Sequence, residues 1–166
     1  MKIYVVGDSS SLILLVRSNL HNYLLPLTKI IIPEVVYQEI LKGKIKNKKD
    51  AFIIEKLVFE NKIIIENPNK TNIENIKYIS KLGEGELHAI ALAKQKNYPI
   101  LIDDKKGINV CILLNIKYLP ILAILNMLFD IKIINKEQTI NSFNILIKNG
   151  FFKKEIIEKY YKIFNR

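Results

Sequence analysis

The stretch Ile3-Tyr4-Val5-Val6-Gly7-Asp8-Ser9-Ser10-Ser11-Leu12 decides how the chain is read. Its first four residues lack the polar alternation of a half-buried strand, so both faces of this strand are expected to be covered. Gly7 and Asp8 end the strand, and three serines follow. Apolar residues at 12, 13, 15, 16 and 20 then recur at helical spacing over residues 10–22. Strand, acid and helix in that order begin a unit whose strands pair in parallel through right-handed crossovers.

The same pattern repeats outward. Residues 29–32 read as a strand stopped by Pro33, which suits the first turn of a helix through Val35, Val36 and Ile40. A helix is expected over 50–60, with Ile53, Ile54, Leu57 and Val58 on one face, then a strand at 63–65. Helices over 72–82 and 85–96, a strand at 100–102, a helix over 105–114 and a last strand at 116–119 complete the alternation. The fold class is α/β: a three-layer αβα sandwich around a parallel sheet, plus C-terminal helices. One domain spans 1–166. Its last part, 136–166, is a helical extension of two amphipathic helices, 137–148 and 153–164, that pack on the sheet domain or on a partner chain. Tyr160 and Tyr161 read as helix packing.

A chain of 166 residues is long enough for one two-sided core. With 49% hydrophobic and 25% charged residues it is not a disordered chain. Lys+Arg outnumber Asp+Glu by 26 to 16, a net +10, but 24 of those cations are Lys and 2 are Arg. Lys, Ile and Asn share AT-rich codons, so the charge attracts polyanions without naming one. Five of the eight residues from 42 to 49 are Lys, which reads as a solvated loop. The single cysteine, Cys111, excludes a disulfide framework and an all-thiolate zinc site; among Val110, Ile112 and Leu113 it reads as a buried, inert thiol. The apolar start is too short for a signal peptide. The apolar tract 119–129 contains Pro120 and Asn126 and is shorter than the ~20 residues a membrane span needs. A cytoplasmic protein without a membrane partner is expected.

The chain has five Asp, and three of them, Asp8, Asp103 and Asp104, fall just past the ends of expected strands. In an open parallel sheet that edge is where ligands bind. Asp8 also suits an N-cap, although Ser9, Ser10 or Ser11 can fill that place. Glu39 is read one turn before the end of its helix, where an acid opposes the dipole and gains nothing locally. In Leu82-Gly83-Glu84-Gly85-Glu86-Leu87, Glu84 suits a helix start, whereas Glu86 faces elsewhere. Carboxylates crowded at one edge repel unless protonated or bridged by a cation. Mg²⁺ or Mn²⁺ suits such oxygen donors and promotes in-line phosphate displacement. A basic body around an acidic pocket then fits a phosphodiester substrate. No GxxxxGK[ST], GxGxxG or GxSxG stretch occurs, and the two histidines, His21 and His88, form no zinc spacing.

Val5-Val6-Gly7-Asp8-Ser9-Ser10 resembles the opening strand and first acid of a PIN domain. Pro33-Glu34-Val35-Val36-Tyr37-Gln38-Glu39-Ile40 resembles the segment with the second acid, Glu39. Gly83-Glu84-Gly85-Glu86-Leu87-His88-Ala89 resembles the third-acid helix, with Glu86 the better match and Glu84 the second. Leu101-Ile102-Asp103-Asp104-Lys105-Lys106-Gly107 resembles the last acidic strand end, in the double-Asp form of an uncharacterised prokaryotic subgroup.

The resemblance covers roughly residues 1–150. It implies a parallel sheet between helices and a VapC-type endoribonuclease that uses Mg²⁺ or Mn²⁺ and acts on RNA. It further implies a homodimer restrained by a cognate antitoxin. Asp8, Glu39, Glu86 and Asp104 become the implied catalytic and metal-binding acids, with Asp103 as a fifth ligand or the true fourth; Ser9, Ser10 and Glu84 support them. Two departures stand out: Ile108 where the subgroup has Arg, and Pro120-Ile121 where Gly-Thr is usual. They keep open a second reading, a PIN-fold module that binds RNA or protein with little turnover. A phosphatase or phosphoacceptor domain lacks its Asp-x-Asp or its early acidic pair.

Overall fold

The computed structural model describes residues 3–165; Met1, Lys2 and Arg166, the ends of the expected 1–166 domain, lie outside the described residues. Five strands form one parallel sheet: β1 (Ile3–Gly7), β2 (Thr28–Ile32), β3 (Ile63–Ile65), β4 (Ile100–Leu101) and β5 (Tyr118–Leu119). The spatial order is β3-β2-β1-β4-β5, with Val5 opposite Ile30, Ile30 opposite Ile63, Val6 opposite Ile100 and Ile100 opposite Tyr118. The chain therefore winds outward from β1 to β3, crosses back, and continues on the other side through β4 and β5.

Helices α1 (Ser9–Arg17), α2 (His21–Leu24), α3 (Glu34–Ile45), α4 (Lys49–Phe59), α5 (Lys70–Lys77), α6 (Glu84–Lys96) and α7 (Lys105–Leu113) connect the strands. Helices α8 (Ile121–Asp130), α9 (Lys136–Asn149) and α10 (Lys154–Phe164) follow the last one. The result is the expected α/β sandwich. Val5, Val6, Ile30, Ile32 and Ile100 of the sheet are buried together with Leu12 and Leu15 of α1 and Ile90 and Leu92 of α6. Each such side chain contributes about 1.5–3 kcal/mol of transfer free energy.

Several boundaries differ from the sequence expectation. The helix expected over 10–22 breaks into α1 and α2 at Asn19, which turns left-handed at φ 61°. Helix α3 runs on to Ile45, so the first half of the lysine-rich stretch is helical and the solvated connection shrinks to Lys46–Lys48. The apolar tract at 119–129 is mostly α8, whose Leu122, Ile124, Leu125 and Leu128 are buried. None of the helices among the described residues is long and apolar enough to cross a membrane.

Asparagine does the work of glycine at the helix ends. Asn19, Asn47, Asn61, Asn97 and Asn115 all have positive φ, as does Lys132, while no described glycine does. Asn tolerates this region because its short side chain bonds locally. Asn61, Asn97 and Asn115 close the helices that precede β3, β4 and β5.

The C-terminal helices pack on the body of the chain. Ser142 Oγ of α9 donates to the Ser18 carbonyl at 2.9 Å, and Gln138 Nε2 donates to the Tyr23 hydroxyl at 3.1 Å. Phe164 of α10 is fully buried against the rings of Phe129, Phe143 and Tyr160. Tyr160 thus packs as expected, but Tyr161 does not: it is 61% exposed, on the helix face turned away from Phe129 and Phe143.

Candidate functional site

The two directions of winding diverge between β1 and β4. At the carboxyl ends of those strands the outgoing chains part, leaving a crevice where an open α/β sheet binds ligands. Asp8 leaves β1 and Asp103 and Asp104 leave β4 at this place. Helices α3 and α6 pack against each other and bring in Glu39 and Glu86.

The first turn of α1 organises the edge, because three consecutive serines serve three different acids. Ser9 Oγ donates to Glu39 Oε2 at 2.8 Å, Ser10 Oγ to Asp8 Oδ2 at 3.1 Å, and Ser11 Oγ to Asp103 Oδ2 at 2.9 Å. The Ser11 backbone N–H also donates to Asp8 Oδ1 at 2.9 Å, so Asp8 is the N-cap of α1. Ser9 and Ser10 were expected to support the site. The buried Ser11 was expected only as an alternative cap, and its link to Asp103 depends on a tertiary contact across 92 residues.

Asp8 is only 1% exposed, and burial pushes its carboxyl up to about 6, with the Asp103 charge adding to the effect and the Ser11 and Ser10 hydrogen bonds opposing it. Asp103 is likewise raised by burial, against hydrogen bonds from Ser11 and from the Ile121 backbone N–H, which donates to Oδ1 at 3.0 Å. That amide belongs to the position where Pro120-Ile121 departs from Gly-Thr, and a backbone donor does not depend on the side chain.

Asp104 plays a different part. It is exposed and caps α7, its Oδ2 accepting from the N–H groups of Lys106 at 2.7 Å and Gly107 at 3.1 Å. Glu86 reaches back to the Gly83 N–H at 3.3 Å. Burial raises its carboxyl, and the charges of Asp104 and Glu39 add to that. Helix-start duty therefore falls to Glu86; Glu84 is exposed, its Oε2 lying 3.7 Å from His88 Nε2.

Glu39 stands in the middle of α3, because the helix continues to Ile45. The expected conflict with the helix dipole is therefore absent. Its position is set by the neighbouring helix: Oε1 accepts from the Gly85 N–H at 3.2 Å. A Cβ on Gly85 would collide with the Glu39 carboxylate. Gly85 of Gly83-Glu84-Gly85-Glu86 thus leaves room for the Glu39 carboxylate to come this close, a reason the sequence does not carry.

None of Asp8, Glu39, Glu86, Asp103 and Asp104 has a Lys or Arg ion-pair partner among the described residues, although the chain carries a net +10. Carboxylates held mainly by neutral donors and close to one another, with Asp8 buried among them, fit a hard divalent cation. Among the described residues no three His, Cys, Asp or Glu side chains gather closely enough to hold an ion by themselves. The acids instead act on one another's charge in two looser sets, Asp103 on Asp8, and Asp104 and Glu39 on Glu86. Such groups suit Mg²⁺, which takes one or two carboxylates and keeps water or phosphate oxygens in its other positions. Cys111 is buried beside them, its thiol pushed up to about 11 by burial and by Asp8, and is inert as expected.

A family model described as a PIN domain, DUF3368, matches residues 4–165. No curated protein sequence matches the chain. The structure of PAE2754 from Pyrobaculum aerophilum is similar over 77% of this chain and 98% of its own, with a TM-score of 0.54 at 11% identity, a likeness of fold alone. A PilT N-terminus domain protein, SSO1118, from the archaeon Sulfolobus solfataricus P2 is similar over 75% of this chain and 92% of its own, with a TM-score of 0.48 at 18% identity.

Proposed function

This chain belongs to the PIN domain family, and on that premise we propose that it is a divalent-metal-dependent endoribonuclease hydrolysing RNA phosphodiester bonds. One observation carries the reading: five carboxylates share the switch-point edge of the sheet without a Lys or Arg ion pair among the described residues, in a strongly basic chain. Asp8, Glu39, Glu86, Asp103 and Asp104 would hold Mg²⁺ or Mn²⁺. When bound, the ion lowers the pKa of a water and stabilises charge on the leaving oxygen.

The remaining work falls to the chain itself. Ser9 and the Gly85 amide fix Glu39 from both sides, and Ser11 with the Ile121 amide fixes Asp103, so these carboxylates are oriented before substrate arrives. Asp8, with its carboxyl near 6, carries a proton in mild acid that competes with the cation, so cleavage declines as pH falls below about 6.

A binding domain with little turnover is the second reading, favoured by Ile108 and Pro120-Ile121. The Ile121 amide weakens that case, because it supplies its hydrogen bond whatever the side chain. The experiment is cleavage of single-stranded RNA with Mn²⁺, wild type against Asp8→Asn. The nuclease reading expects loss of about 100-fold or more in the variant. Equal activity in both would sink it, and tight RNA binding by an inactive wild type would select the second reading.

A further inference from the structure

Beside the acidic edge lies a cavity of about 180 Å³, open to solvent, between the end of α3 and the start of α4. Glu39 forms part of its wall, and so do Lys42, Lys46 and Lys48. All three lysines are exposed, and none has a carboxylate partner within ion-pair distance among the described residues. Lys44, from the same stretch, is different: it pairs with Glu55 at 2.7 Å and lies over the Phe52 ring. The one other acid in the wall, Asp50, is neutralised by Arg17 at 2.5 Å and accepts from the Ala51 N–H. The cavity is thus a place of uncompensated positive charge that shares a wall with a candidate catalytic carboxylate.

We infer that this cavity seats a backbone phosphate of single-stranded RNA next to the scissile one. Lys42, Lys46 and Lys48 close around the phosphate, and its seating draws the neighbouring linkage toward Glu39. The inference rests on the nuclease reading for its RNA ligand and for the scissile linkage beside the seat, but not for the seat itself. It also gives the lysine-rich stretch a use: of its five lysines, the three that face the cavity bind, while Lys44 braces α3 against α4.

The test separates local from overall charge, and it needs no cleavage. The probe is a fluorescent oligoadenylate of about 12 nucleotides, titrated in EDTA at about 50 to 200 mM salt and read by anisotropy. One variant carries Lys42→Ala, Lys46→Ala and Lys48→Ala. Its control carries Lys29→Ala, Lys62→Ala and Lys117→Ala, which remove the same formal charge from the opposite edge of the sheet, where β2, β3 and β5 begin. The cavity variant is expected to lose about fivefold or more in affinity, and its slope of log K against log salt to flatten by about 0.7 for each phosphate released. The control is expected to stay within about twofold of wild type with its slope unchanged. Equal losses in the two variants, an unchanged slope in the cavity variant, or no binding by wild type overturns the assignment. A chain that binds in this way yet never cleaves refutes the nuclease reading and leaves the phosphate seat standing.

Discussion

Asp8 sits where burial opposes ionisation, and the cost is measurable. Its carboxyl is raised from 3.8 to about 6, so ionising it in the folded chain at neutral pH costs about 3 kcal/mol. The folded state holds the proton more tightly than the unfolded state. The contribution of Asp8 to stability is therefore greatest below about pH 4, falls as pH climbs to about 6, and is level above that. In chelator, Asp8→Asn is expected to be more stable than wild type at pH 7.5 by up to about 3 kcal/mol, with the gain vanishing near pH 4. Urea unfolding at both pH values checks this; an equal difference at the two would contradict it.

Gly85→Ala forces the Glu39 carboxylate aside, so RNA cleavage is expected to drop about tenfold or more. The melting temperature stays within a few degrees, because Ala is the better helix former. Unchanged cleavage would show that the Glu39 position is immaterial. The acids were legible in the sequence as a group at expected strand ends, although Asp8 and Asp104 also serve there as helix caps. The reach of Ser11 and the closeness of Gly85 were not, since both exist only after α1, α3 and α6 pack.

At the scale of elements, β-branched strands and apolar helical spacing specify what forms, and stop signals specify where it ends. Those stop signals were harder to read because Asn replaces Gly at them. Asn also occurs inside elements of this AT-biased chain, at Asn109 and Asn144 for example. Asn19 therefore gave no warning that the first helix divides, and Gly43 did not stop α3 where a break was expected. The left-handed turns have an energetic consequence. Asn115→Ala is expected to lose about 1 kcal/mol of stability and Asn115→Gly to lose none, since Ala lacks the short polar side chain that lets Asn tolerate positive φ, and Gly has no Cβ to clash there. Chemical denaturation of the two variants decides this, and equal stabilities would deny the strain.

For the molecule as a whole, the order β3-β2-β1-β4-β5 explains why residues 8 and 103 meet although the sequence holds them far apart. Alternating strands and helices implied a parallel sheet, but strand order depends on long-range pairing that local patterns do not record. The net charge of +10 announced an affinity for polyanions and left its place open. Folding separates that charge into a basic cavity and an acidic edge with Glu39 in common. At this edge the proposed nuclease would hold its divalent metal. Anomalous diffraction from crystals soaked in Mn²⁺ tests this most directly. A peak is expected within about 2.5 Å of carboxylate oxygens from at least two of Asp8, Glu39, Glu86, Asp103 and Asp104. No peak within about 5 Å of any of them, at saturating Mn²⁺, would contradict it.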